Sequence, residues 1–205
     1  MGFGLLFIGY MFFFSFPYKG TLDIPPDLLG FVIAFIGIRT LAEYGCGWEN
    51  VKRYFSVIFP ASILNFTLQV LNLYGICSGI REIWSYAYEG LLIVFNILLL
   101  ISIHNIAKDT EVKSIQAKAK RNLVLMLMYY AVMLIISIPL PYLQNIYRHL
   151  EANYSFTLVL FLYNYIWRFM NLALIFSCYM WICQDGDQDM PEKEHNIFLR
   201  KNKED

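Results

Sequence analysis

Apolar runs of about twenty residues or more recur along this chain, parted by short polar stretches, and that pattern predicts helices that cross a bilayer. The charge-free runs from Tyr54 to Ile80 and from Leu123 to Tyr147 each exceed the roughly 20 residues that span a hydrocarbon core at about 1.5 Å per residue. Read this way, the chain is an all-α bundle of six transmembrane helices near residues 2–16, 25–41, 54–74, 83–106, 122–147 and 156–183. One helical domain fills residues 1–183, and residues 184–205 form a polar tail. The first segment reaches only about 23 Å as a helix against a core of about 30 Å, so it is expected to be tucked against neighbours or partly re-entrant. It lacks a basic start and a small-residue cleavage site, and it reads as a retained segment rather than a signal peptide.

The polar residues inside the apolar runs fall at helical spacing. Segment three carries Ser62, Asn65, Gln69 and Asn72 on one face, segment four Ser85, Glu89 and Asn96, and segment six Asn164, Arg168 and Asn171. Arg168 stands in the middle of an otherwise uncharged run from Ala152 to Gln184. A guanidinium at that depth costs roughly 2.5–3.5 kcal/mol on insertion scales, so it must face the protein interior and find a partner. Arg168 lies about 18 Å down its helix and Glu89 about 9 Å down segment four, and side chains lean toward the helix N-terminus. An ion pair between them is therefore expected, with Asn164, Asn171, Gln69 and Asn65 taking up the remaining hydrogen bonds. Two readings of this cluster stand. Polar side chains can lock helices together at about 0.6 kcal/mol per interhelical bond. They can also line a cavity that binds a polar or anionic solute through Arg168 or moves protons through Glu89.

Small residues mark another face. Gly30, Ala34 and Gly37 recur at i, i+4 and i+7, and Gly2 and Gly9 repeat the seven-residue step, so segments one and two are expected to pack as an antiparallel hairpin; oligomerisation through the same face is the alternative. The stretch Asp23 to Gly30 reads D-I-P-P-D-L-L-G. Proline at the first helical positions with acids beside it suits a helix start, since φ is fixed and the carboxylates sit at the positive end of the dipole. Asp23 and Asp27 together also make a candidate cation or proton site. A short glycine-bearing first segment followed by Asp23, Pro26, Asp27 and Gly30 resembles the N-terminal pattern of uncharacterised polytopic membrane proteins of Gram-positive bacteria. That resemblance covers about the first forty residues and implies no activity.

Composition strengthens the assignment: 58% of the 205 residues are apolar, and the mean hydropathy of +0.49 is too high for a soluble domain of this size. The net charge of zero conceals a segregation by side. Arg39, Lys52, Arg53, Lys108, Lys113, Lys118, Lys120, Arg121 and the four basic residues of the tail fall in alternate loops, against Lys19, Arg81 and Arg148 in the others. The positive-inside rule then puts both termini in the cytoplasm of a plasma-membrane protein. Tyr44, Trp48, Tyr54, Tyr179 and Trp181 are expected at the inner interface, and Tyr74, Trp84, Tyr86, Tyr142 and Tyr147 at the outer. Pro60, Pro139 and Pro141 fall inside predicted helices, where they permit kinks. Asn96, Leu99 and Ser102 repeat the spacing of Asn171, Leu174 and Ser177, a short echo between segments four and six.

The chemistry that remains is sparse. Cys46, Cys77, Cys178 and Cys183 offer no pair on one oxidising side, and the three histidines are scattered, so neither a disulfide nor a metal site is expected. Asp185, Asp187 and Asp189 imitate the start of a calcium loop, but Met190 replaces the required glycine and Asn196 the required glutamate. There is no phosphate-binding loop, nucleophile elbow or zinc-protease motif, so the chain is read as a non-enzyme without cofactor. Its expected partners are the lipid bilayer and other membrane subunits or a second copy, with no nucleic acid. The expected function is a small-solute or ion-handling component, a transport or substrate-binding subunit; the alternative is a scaffold or assembly factor.

Overall fold

The computed structural model describes residues 2–12, 17–18, 22–23, 27–75, 78–137 and 154–182. Among them are six helices: α1 (Gly2–Met11), α2 (Asp27–Ala42), α3 (Trp48–Leu73), α4 (Ser78–Asp109), α5 (Lys113–Ser137) and α6 (Tyr154–Trp181). Between α1 and α2 a two-residue antiparallel ladder, β1 (Pro17–Tyr18) with β2 (Leu22–Asp23), pairs Pro17 with Asp23 and Tyr18 with Leu22. The chain is thus all-helical in its architecture. Within α3, α4 and α6, the stretches Trp48–Asn72, Gly79–Asp109 and Leu158–Trp181 are long and apolar enough to cross a membrane. Over the described residues α1 covers about 15 Å and α2 about 24 Å; residues 13–16 and 25–26 of the first two expected segments lie outside the described residues. Pro139 and Pro141 lie outside the described residues, as do Cys77, Cys183 and the tail. Pro60 lies within α3, which is assigned as one helix from end to end.

The helices form a closed ring. Each packs on its neighbour in sequence, α1 on α2 through to α5 on α6, and α6 returns to α1. The tightest seam joins α1 and α2. A Cβ on Gly9 would fall 2.6 Å from the Ala34 backbone nitrogen, and one on Gly37 2.6 Å from the Gly2 carbonyl oxygen, so the backbones approach as closely as glycine allows and run antiparallel. Gly2 in turn lies against Leu41 and Gly9 against Gly30. The α1–α6 seam is also antiparallel: Gly4 faces Tyr179 and the Phe7 ring packs tilted against Phe176 at 5.4 Å.

These contacts bring the start of α1, the end of α6, the α2–α3 turn and the α4–α5 turn to one end of the bundle, here called basal. At that end Phe3 meets Trp48 edge-on at 5.7 Å, and Asn105 Nδ2 donates to the Cys46 carbonyl oxygen at 3.5 Å. The α2–α3 turn runs through left-handed backbone at Gly45 (φ 74), Cys46 (φ 51) and Gly47 (φ 90). Glycine meets that demand without cost, and Cys46 is held there with its thiol donating to Asp109 Oδ2 at 2.9 Å. Trp48 departs from the expected aromatic belt. It is wholly buried, because α1 covers the start of α3.

Candidate functional site

The polar stripes acquire a location from where α1 and α2 stop. Phe31, in the first turns of α2, meets Phe55 of α3 at 5.7 Å and Phe95 of α4 at 6.0 Å. At nearly the same level Tyr10 closes α1 by donating its hydroxyl to Asn96 Oδ1 at 2.8 Å, while Asn171 Nδ2 donates to the Tyr10 oxygen at 3.2 Å. Asn96 Nδ2 is satisfied within α4 by the Leu92 carbonyl at 2.9 Å. This junction ties α1, α4 and α6 together. Beyond it, among the described residues, α3, α4 and α6 continue for about 26 Å toward the other, apical end, and α5 runs with them.

The predicted polar residues lie in that continuation or at its floor. The α3 face that is buried at Val51, Phe55, Ile58 and Ser62 becomes half-exposed at Asn65, Gln69 and Asn72. Asn96 of α4 is buried, whereas Glu89, seven residues away on the same helical face, is exposed. Asn171 of α6 is fully buried, and Arg168 and Asn164 above it are half-buried. Burial falls away on all three helices past the ends of α1 and α2, which explains a pattern that periodicity alone does not.

Arg168 Nε donates to Asn164 Oδ1 at 3.1 Å, and its guanidinium lies 5.5 Å from the centroid of Trp167. The expected ion pair with Glu89 is not formed: the ion pair among the described residues is Arg53 with Glu49, at 3.9 Å. The reason is the exposed position of Glu89, which keeps the carboxylate from the desolvation that a buried pair would demand. Both charges nevertheless lie near Tyr129 and Tyr130 of α5, which form an aromatic wall with α6. In that wall Tyr129 stacks at 5.8 Å on Tyr163 and Tyr130 packs at 5.9 Å on Trp167. Gln69 and Asn65 do not take up Arg168's hydrogen bonds as expected, because α3 packs on α2 and α4 while α6 packs on α1 and α5. Asn171 is committed to Tyr10.

Two site residues escaped the sequence reading. Tyr10 carries no charge and sits in a glycine-rich apolar run, so only its hydroxyl distinguished it. Asn122 lies at the basal start of the apolar part of α5, on the face shared by Ile115, Ala119, Met126 and Tyr129, and is 1% exposed. Neither its Nδ2 nor its Oδ1 has a hydrogen-bond partner, and the same holds for Asn171 Oδ1. The signal for Asn122 was its position on the apolar face of a basic-ended helix. Asp27 opens α2, as a helix start requires, and Asp23 ends the small ladder; their side chains lie outside the described residues. Among the described residues no three His, Cys, Asp or Glu side chains converge as a metal site would need.

No protein-family model matches the chain, and neither does any curated protein or solved structure compared with it.

Proposed function

We propose that this chain is a multi-pass plasma-membrane protein of six spanning segments with both ends in the cytoplasm, and that its apical polar half handles a small solute or ion. In this reading it serves as the transport or substrate-binding subunit of a larger assembly and performs no catalysis of its own. The observation that carries the proposal is the coincidence of two boundaries. The polar residues Asn65, Gln69, Asn72, Glu89, Asn164 and Arg168 all lie on the lengths of α3, α4 and α6 that extend past α1 and α2. Polar groups in lipid are expensive unless they face protein or water, and amides on three helices together with a glutamate and an arginine exceed what holding helices together needs. The eight described basic residues at the basal end, all exposed, support its cytoplasmic placement.

Thermal unfolding of the purified chain in detergent tests this. A panel of organic anions, amino acids, neutral polar solutes and monovalent cations should contain one class that raises the melting temperature, and Arg168→Met should fold but lose that rise for a class held by the guanidinium. A second reading, a scaffold whose polar core only locks packing, is favoured by the Tyr10–Asn96–Asn171 junction, which joins three helices without any solute. That reading wins if no class stabilises the protein and the double variant Glu89→Gln, Arg168→Met keeps its fold and its complexes.

A further inference from the structure

We propose that the bundle interior holds a binding site for a small uncharged amide or urea-like molecule between Asn122 of α5 and Asn171 of α6. The proposal rests on the reading of the bundle as solute-handling and names a chemical class for it. Asn122 is 1% exposed and Asn171 0% exposed, and three of their four amide atoms have no hydrogen-bond partner. Orphan amide atoms at such depth are rare in folded proteins, since each forfeits its solvation without return.

The two side chains belong to one interface. On α5 the buried positions Ile115, Ala119, Asn122, Met126 and Tyr129 form one face, and on α6 Trp167, Asn171, Leu174 and Cys178 form another. These faces meet, because Tyr129 and Tyr130 pack on Trp167 and Tyr163 donates to the Leu125 carbonyl at 3.0 Å. The helices run antiparallel, and these contacts set Asn122 at about the same level along the bundle as Asn171. Asn122 then offers a donor and an acceptor side by side, whichever way its amide is turned, and Asn171 offers a second acceptor.

The complement of that arrangement is a neutral molecule with two N–H donors and one carbonyl. It would donate to Asn122 Oδ1 and Asn171 Oδ1 and accept from Asn122 Nδ2. Primary amides and ureas have this set. Neither asparagine is hydrogen-bonded to an ionised side chain, and an ion entering here would have to shed its hydration without a counter-charge.

Thermal unfolding of the full chain in detergent, with acetamide or urea at millimolar concentration, reads the site. Both should raise the melting temperature saturably by a few degrees, whereas N,N-dimethylacetamide and tetramethylurea, which lack N–H donors, should not. Asn122→Leu, close in volume, should abolish the response, and Gly90→Ala on α4, where the added methyl meets nothing, should retain it. A rise in melting temperature on Asn122→Leu with no solute present would show a dry orphan amide relieved by an apolar group, and would overturn the proposal. So would equal stabilisation by the methylated and unmethylated compounds, a comparison on the unaltered protein that stands even if the variant does not fold. Stabilisation by charged solutes alone overturns this site and leaves the solute-handling reading in place.

Discussion

Tyr10 spends one hydroxyl on two amides, donating to Asn96 and accepting from Asn171, so its loss leaves two buried polar atoms stranded at once. Tyr10→Phe keeps the ring and should cost about 1–3 kcal/mol, measured as a lower melting temperature in detergent. An unchanged melting temperature would mean that the junction is not holding α1 in place. At the basal turn Cys46 is the opposite case, a reactive group kept quiet. Partial burial, its hydrogen bond to Asp109 and the charge of that carboxylate push the thiol up to about 11, so it stays protonated through neutral pH. Asp109→Asn removes the carboxylate charge and should lower the pKa, raising the thiolate fraction at pH 8 about tenfold for each unit of fall and so speeding alkylation; an unchanged rate would sink the assignment. Residues were the hardest level to read in the sequence. Arg168 announces itself by charge, but its Nε bonds Asn164 on its own helix and its guanidinium lies near Trp167 rather than Glu89. Periodicity gives a face and a depth, and it does not say which helix stands opposite.

Among the elements, the α1–α2 seam was the most legible, because glycine and alanine at seven-residue and four-residue steps have few other uses in an apolar helix. Gly9→Ala would set a methyl 2.7 Å from the Gly30 carbonyl oxygen and 2.6 Å from the Ala34 nitrogen, both backbone atoms, so the helices must part. A destabilisation of roughly 1–3 kcal/mol is expected. Gly90→Ala on α4, where the added methyl meets nothing, should be near neutral by the same melting assay. Equal effects at the two sites would contradict the seam. Helix ends were less legible than helix existence. Hydropathy starts the fifth segment at Asn122, whereas α5 begins at Lys113, since hydropathy marks the apolar part of a helix and not its first turn. The echo between Asn96 and Asn171 also has a plain source: both amides sit at the level of Tyr10 and face it.

For the whole molecule, the segregation of charge makes sidedness testable. Tyr74→Cys, in the exposed apical turn, should react with an impermeant thiol reagent added to intact cells, whereas Lys113→Cys should react only after the membrane is permeabilised. The reverse pattern would invert the topology. The ring order was not legible at all from the sequence, because hydropathy says that a helix is buried on one side without naming its neighbour.

The seam between α1 and α6 joins the first described helix to the last, and it reaches across 161 positions at the bond between Tyr10 and Asn171. During synthesis Tyr10 therefore precedes one of its two partners by most of the chain, and the ring stays an open arc until α6 emerges. Contacts of such separation are slow to form, because the loop between them must be closed before they return any stability. Ribosome-bound chains cut short before α6 should accordingly be the form most readily degraded or captured by chaperones, and completion of the last helix should be the step that releases them.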